Sequence, residues 1–287
     1  MTSFMNSKKP TFSYPSILLS VSGGQDSMAV LMIVMHLYRQ NPTWINKLGI
    51  LHCQHGWTEQ DLQMATQLTS LADLLVVPYY CVTSQETCLE EEAARLWRYS
   101  SASRIANVHG YDIVLTAHTL DDRLESFLLN LIRGSGLRGI STLQSYGTVN
   151  APIWVDLDDC FISSWEWIGT DLSSGRSILP VSLGRPGRLL ERSTITTWTK
   201  EWHIPLFVDP THDRLAWSRN RLRYELLPYL AMYWNPNFQA QLKDFLEVVE
   251  PEIYYLDILL QRVEDIMLNA LINDSDSTND GKAITGT

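Results

Sequence analysis

Four short apolar runs, each followed by a longer stretch with the length of a helix, succeed one another between residues 16 and 133. The runs are "SILLSV", "KLGILHC" (47–53), "VPYYCV" (77–82) and "YDIVLTAH" (111–118). Their length and aliphatic content are those of buried strands. Residues 27–39, 58–75, 90–108 and 121–133 follow them as expected helices. Such alternation demands βαβ crossovers and a parallel sheet, with right-handed connections placing helices on both faces. The expected fold class is therefore α/β, a doubly wound parallel sheet. Ligands of such sheets sit beyond the carboxyl ends of the strands, at the switch point. Three segments directly follow a strand and should converge there: 22–27, 52–56 and 116–125.

The alternation stops after Gly139. Residues 1–14 are expected to be a flexible N-terminus, and 15–225 one catalytic α/β domain with an acidic loop insertion or two-stranded excursion at about 143–177. "STITTWTKEWHI" predicts a helix capped by Ser193, and "LAWSRNRLRYELLPYLAMYW" a helix broken near Pro228. Residues 226–273 are expected to form a helical C-terminal extension, and 274–287 have the polar composition of a disordered tail.

Composition narrows the function. The net charge is −10, which weighs against a surface wholly devoted to nucleic acid. The charge is segregated, however: residues 176–223 hold nine Lys or Arg against four acids, and residues 139–175 hold none of either base. The four cysteines form no C-x-x-C pair, so neither a zinc ribbon nor a dithiol redox site is expected. No run is long and apolar enough to span a bilayer, and the N-terminus has no signal-peptide pattern. No membrane role and a reducing compartment are expected.

The chemistry starts at "SGGQDS" (22–27). Two glycines let backbone N–H groups approach an anion, and the following helix adds its positive end. Ser22, Gly23, Gly24, Gln25, Asp26 and Ser27 are the candidate phosphate-binding residues. No Lys is present, so this is not the usual nucleotide loop. Asp26 makes sense beside phosphate where a Mg²⁺ lies between them.

A strand followed by S-G-G-x-D-S resembles the PP-loop ATP pyrophosphatases, which split ATP between its α and β phosphates and adenylate a substrate oxygen. Their fold is that of the Rossmann-like adenine nucleotide alpha hydrolases. Further segments resemble the tRNA(Ile)-lysidine synthases within that family, in their short cyanobacterial and plastid form. They are "LHCQHGW", "EEAARLWRY" (91–99), "AHTLDDRLESFLLNLIRGSGLRGI" (117–140) and "FVDPTHDRLAWSRNRLRYELLP" (207–228). Trp57 and Thr58 stand where that family has Leu and Arg, and "DPTH" replaces the more usual D-P-S-N. The resemblance covers about residues 15–240.

The resemblance implies an ATP-dependent ligase that joins free L-lysine to C2 of the wobble cytidine of a tRNA(Ile) with a CAU anticodon, through an adenylated cytidine. ATP and Mg²⁺ are the implied cofactors, and a homodimer is common in the family. His55, Gly56 and His118 join the loop as candidate ATP-binding residues, with Mg²⁺ assigned to Asp26. Asp26, Asp122, Glu125 and Arg95 are the candidate catalytic residues. Asp122 and Glu125, three apart on one helix face, suit the lysine ammonium. Asp121 can instead assist Mg²⁺ or merely favour the helix dipole. Arg98, Arg133, Arg138, Arg219 and Arg223 are the candidate tRNA contacts. For Arg98 a salt-bridged helix face weighs equally, Arg221 reads as surface charge, and His52 as a core or strand-end residue. The implied compartment is the cytoplasm, or the plastid stroma for a plastid-encoded chain. Another PP-loop enzyme adenylating a small molecule or a different tRNA base is the alternative, and a nucleotide-binding module without catalysis the third.

Overall fold

The computed structural model describes residues 14–54, 59–84, 91–140, 146–149, 180–207 and 218–279. Its elements are β1 (Ser16–Ser20), α1 (Gln25–Gln40), β2 (Lys47–Gln54), α2 (Glu59–Leu75), β3 (Tyr79–Thr83), α3 (Glu91–His109), β4 (Ile113–Thr116) and α4 (Leu120–Ile132). There follow α5 (Leu137–Ile140), β5 (Tyr146–Val149), β6 (Val181–Gly184), a 3₁₀ turn (Pro186–Leu189) and α6 (Arg192–Glu201). α7 (Ser218–Arg221), α8 (Leu227–Tyr233) and α9 (Phe238–Asn279) complete the described chain.

The strands form one sheet in the order β3-β2-β1-β4-β6-β5. All pairings are parallel except β5 with β6, so the doubly wound sheet carries one antiparallel edge. Side chains alternate as the pleat requires. Ile17, Leu19 and Val21 enter the cluster built with Met28, Leu31, Met64, Leu68 and Ile195 from the helices on one face. Leu18 enters the opposite cluster, with Leu51, Val114 and the α3 residues Ala102, Ile105 and Ala106. Strand order reverses at β1, whose neighbours are β2 and β4. The switch point thus lies at the carboxyl ends of β1 and β4, where it was expected.

By contact density the chain divides into two compact units, Met1–Arg123 with Leu143–Leu215, and Leu124–Thr142 with Ala216–Thr287. The first contains the whole sheet. In the second, Leu222, Leu227, Leu246 and Ile253 are buried, and Phe127 meets Phe245 edge-on at 6.0 Å.

Three local expectations are corrected. Ser193 does not cap α6: the capping position is Glu191, and the Ser193 hydroxyl donates to its carboxylate at 3.2 Å. The helix before Pro228 widens rather than breaks. Residues 222–226 form a π turn, with the Leu227 N–H bonded to the Leu222 carbonyl. Pro228 offers no N–H to Tyr224 and its ring crowds that carbonyl, and the wider turn relieves both. Finally, α9 runs on to Asn279, through the first six residues of the expected disordered tail. Residues 150–179, most of the acidic insertion, lie outside the described residues, as do residues 1–13 and 280–287.

Candidate active site

β1 ends at Ser20, and the chain turns through Ser22–Gly24 into α1. Gly23 has φ of +86°, the left-handed region, and a Cβ there would come within 2.9 Å of the Met64 sulfur. Its carbonyl accepts the Phe207 N–H at 3.1 Å. Within the loop, the Ser27 hydroxyl donates to the Gly24 carbonyl at 2.9 Å and accepts the Ser22 N–H at 3.2 Å. Ser27 is buried and Ser22 exposed, so the two serines expected to share one task differ in access. Gln25 points away from the loop and donates to the Thr196 hydroxyl of α6 at 2.7 Å.

α4 starts beside this loop. Thr119 caps it, and Asp122 lies three residues on. The Asp122 Oδ2 accepts the Thr119 N–H at 2.9 Å and its hydroxyl at 3.0 Å, and the Asp122 N–H returns to the Thr119 hydroxyl at 3.3 Å. This is a capping box. The other oxygen of Asp122 accepts from Arg192, the first residue of α6, at 3.0 Å. The same guanidinium donates from Nε and Nη2 to Asp26 Oδ2 at 3.2 and 3.1 Å. The Arg192 main-chain N–H donates to Asp121 Oδ2 at 2.7 Å. One arginine therefore ties Asp26 of the loop to both aspartates of α4.

Burial alone would raise the Asp122 carboxyl. Arg192, the Thr119 bonds and His118 outweigh it and hold Asp122 below the usual carboxylate range. His118 follows β4, with Nδ1 2.9 Å from the Thr116 hydroxyl. Burial lowers it to about 4, against the pull of Asp122 and with the help of Arg185, Arg95 and Arg98. Its imidazole is neutral at pH 7. The three arginines make the other half of the site basic. Arg95 lies over the Tyr99 ring, 5.4 Å from its centre. Burial would raise the Tyr99 phenol, but Arg95 and Arg185 bring it below its ordinary value.

Glu125 and Arg223 both belong to the second compact unit. Glu125 is buried and accepts two bonds from Arg223, at 2.6 and 2.8 Å. Arg219 donates to the Ser126 hydroxyl at 3.4 Å. Arg221 is exposed and pairs with Glu225, in line with its reading as surface charge. Arg98 and Arg133 are exposed. His52 is buried, and its Nδ1 donates to the Val21 carbonyl at 2.8 Å, a strand-end role as expected. His55, Gly56 and the Arg138 side chain lie outside the described residues.

Sequence reasoning missed Arg192, Arg185, Thr119 and Tyr99. For Arg192 a signal existed. A cation at the first position of a helix opposes the dipole, and the first turn of α6 carries no acid to offset it. Such a residue needs partners from elsewhere in the chain.

The arrangement offers a glycine turn and helix start for an anion, with Asp26 and Asp122 bound to Arg192 beside it and His118 among both carboxylate and guanidinium groups. A family model described as "PP-loop domain" matches residues 1–230. The chain belongs to the PP-loop family. The domain implies ATP binding, and the sheet switch point is where this member would hold it. Among curated relatives, a chloroplastic tRNA(Ile)-lysidine synthase of Zygnema circumcarinatum is 30% identical, over 87% of this chain and 61% of its own length. A tRNA(Ile)-lysidine synthase of a Nostoc species is 30% identical, over 87% and 64%. One from a Synechococcus species is 32% identical, over 86% and 66%. The chain spans somewhat less than two thirds of the length of these relatives. A solved U34-tRNA thiolase, NcsA from Methanococcus maripaludis, shares the fold with a TM-score of 0.58 at 13% identity, covering 83% of this chain and 73% of that one.

Proposed function

We propose that this PP-loop protein ligates lysine to the wobble cytidine of a tRNA(Ile) with a CAU anticodon, as an ATP-dependent tRNA-modifying ligase. The observation that carries the proposal is the junction of Asp26, Asp122 and Arg192, which sets a phosphate-binding loop against an acidic helix start. The names of the curated relatives, tRNA(Ile)-lysidine synthases, support this choice of acceptor and amine.

The loop main chain from Ser22 to Ser27, with the N-terminus of α1, takes the triphosphate. The arginines beside His118 attract the adenylate phosphate or the tRNA backbone near the target base. His118, neutral at pH 7, can accept or donate a hydrogen bond without adding charge. Asp122 is proposed to receive the lysine ammonium; Glu125, expected to share that task, is instead buried on Arg223 in the second compact unit. The lysine amine then attacks C2 of the adenylated cytidine and AMP leaves. Arg98, Arg133, Arg138, Arg219 and Arg223 remain the proposed tRNA contacts. His55 and Gly56 remain proposed for ATP.

Mg²⁺ fits the donors present. Among the described residues no three carboxylate, His or Cys side chains gather as a ready cage. Mg²⁺ commonly takes one or two carboxylates and leaves its other positions to water and phosphate. Asp26 would hold it, and it would supply charge neutralisation to the departing pyrophosphate. Relatives from cyanobacteria and chloroplasts support a bacterial cytoplasm or a plastid stroma as the compartment. Among the described residues no helix is long and apolar enough to cross a membrane.

The test supplies labelled lysine, ATP and a CAU-anticodon tRNA(Ile) transcript. Label should enter the tRNA with release of pyrophosphate, and Asp26→Ala should abolish both. Pyrophosphate released without tRNA would instead point to a small-molecule substrate. ATP binding without turnover would leave a non-catalytic module.

A further inference from the structure

Two of the carboxylates given a ligand above are already bound by one arginine. Asp122 spends Oδ2 on Thr119, and Arg192 sits on Oδ1, the oxygen through which Asp122 would meet an ammonium. Arg192 also holds Asp26 through two nitrogens. Its side chain is a quarter exposed. The helix it starts is anchored independently, by the main-chain bond to Asp121, so the side chain can change partners without moving α6.

A guanidinium and a substrate ammonium compete for the same lone pairs. A triphosphate competes in the opposite sense, for the guanidinium, because planar bidentate pairing suits phosphate as well as carboxylate. We propose that Arg192 is a positioning residue that imposes an order of binding: nucleotide first, lysine second. Before nucleotide arrives, Arg192 covers Asp122 and lysine is turned away. Nucleotide draws the guanidinium onto its phosphates, and Asp122 Oδ1 opens to the ammonium. The amine is thereby admitted only to a site already holding the nucleotide that activates its partner. This inference rests on the reading of Asp122 as a lysine carboxylate.

The experiment is equilibrium dialysis of labelled L-lysine with the full chain, with and without α,β-methylene-ATP, which cannot be cut at the reacting bond. Wild type should bind lysine at least about tenfold tighter with the nucleotide analogue, a difference of about 1.4 kcal/mol. Arg192→Gln should bind lysine equally with and without it, and should bind the analogue itself about tenfold more weakly. Arg192→Lys, which keeps the charge and loses the fork, should fall between. Lysine binding by wild type that ignores the analogue and is lost in Asp122→Asn would overturn the ordering and leave the lysine site standing. Lysine binding unchanged in Asp122→Asn would overturn the ordering and the lysine site together. Unchanged analogue affinity in Arg192→Gln would overturn the transfer of the guanidinium to phosphate. The wild-type comparison needs no variant, so it holds whatever a substitution does to folding.

Discussion

Gly23 shows most simply how a single residue shapes the site. Its φ of +86° costs an alanine about 1–2 kcal/mol, and the added Cβ presses on Met64. Gly23→Ala should lower stability by about that amount in urea denaturation, and should weaken ATP binding, because the strain is relieved by moving the loop. His118 sets a pH dependence. Its folded value, about 4, lies below the ordinary 6.5, so between these values the unfolded chain binds the proton first. Stability should therefore fall as pH drops from about 6.5 to 4, and His118→Gln should flatten that part of a melting-temperature profile. The stability that Asp122 contributes, being held below its ordinary 3.8, is lost only in more acid solution, so the two effects separate. The loop residues and the acidic helix start were legible because their motif is contiguous. Arg192 was not, because its three partners lie 70 or more positions away along the chain.

Helix termini decide where the charges stand. The capping box of Thr119 and Asp122 fixes one carboxylate oxygen, so the structural role of Asp122 and its proposed ligand role use different atoms. In the second unit, Glu125 is nearly inaccessible and accepts two bonds from Arg223. Removing one partner of a buried pair leaves the other charge uncompensated. Arg223→Ala should cost about 3–5 kcal/mol in chemical denaturation, and adding Glu125→Leu should recover much of it. If Arg223→Ala were neutral, Glu125 would have other means of carrying its charge. Strands β1 to β4 were readable as apolar runs bounded by turns. The π turn at 222–226 was not, because its cause, Pro228, announces an interruption without saying whether the helix ends or widens.

At the scale of the whole molecule, the alternating pattern of residues 16–133 was sufficient for the doubly wound sheet and for the end at which ligands gather. It could not supply β6, which pairs with β4 after a connection without periodicity, or β5, whose four residues pair antiparallel with β6 at the edge. Nor does composition show how an acidic chain approaches RNA. The proposed answer is segregation: guanidinium groups of α3 and Arg185 gather beside His118, while seven acids against two bases mark residues 236–273. The central claim is the identity of the bond made. After reaction with ATP and lysine, the CAU-anticodon tRNA(Ile) would be digested and its nucleosides weighed by mass spectrometry. The wobble cytidine should gain the mass of lysine less one water, with every other cytidine unchanged. An unmodified wobble cytidine, from protein that still releases pyrophosphate, would contradict the claim.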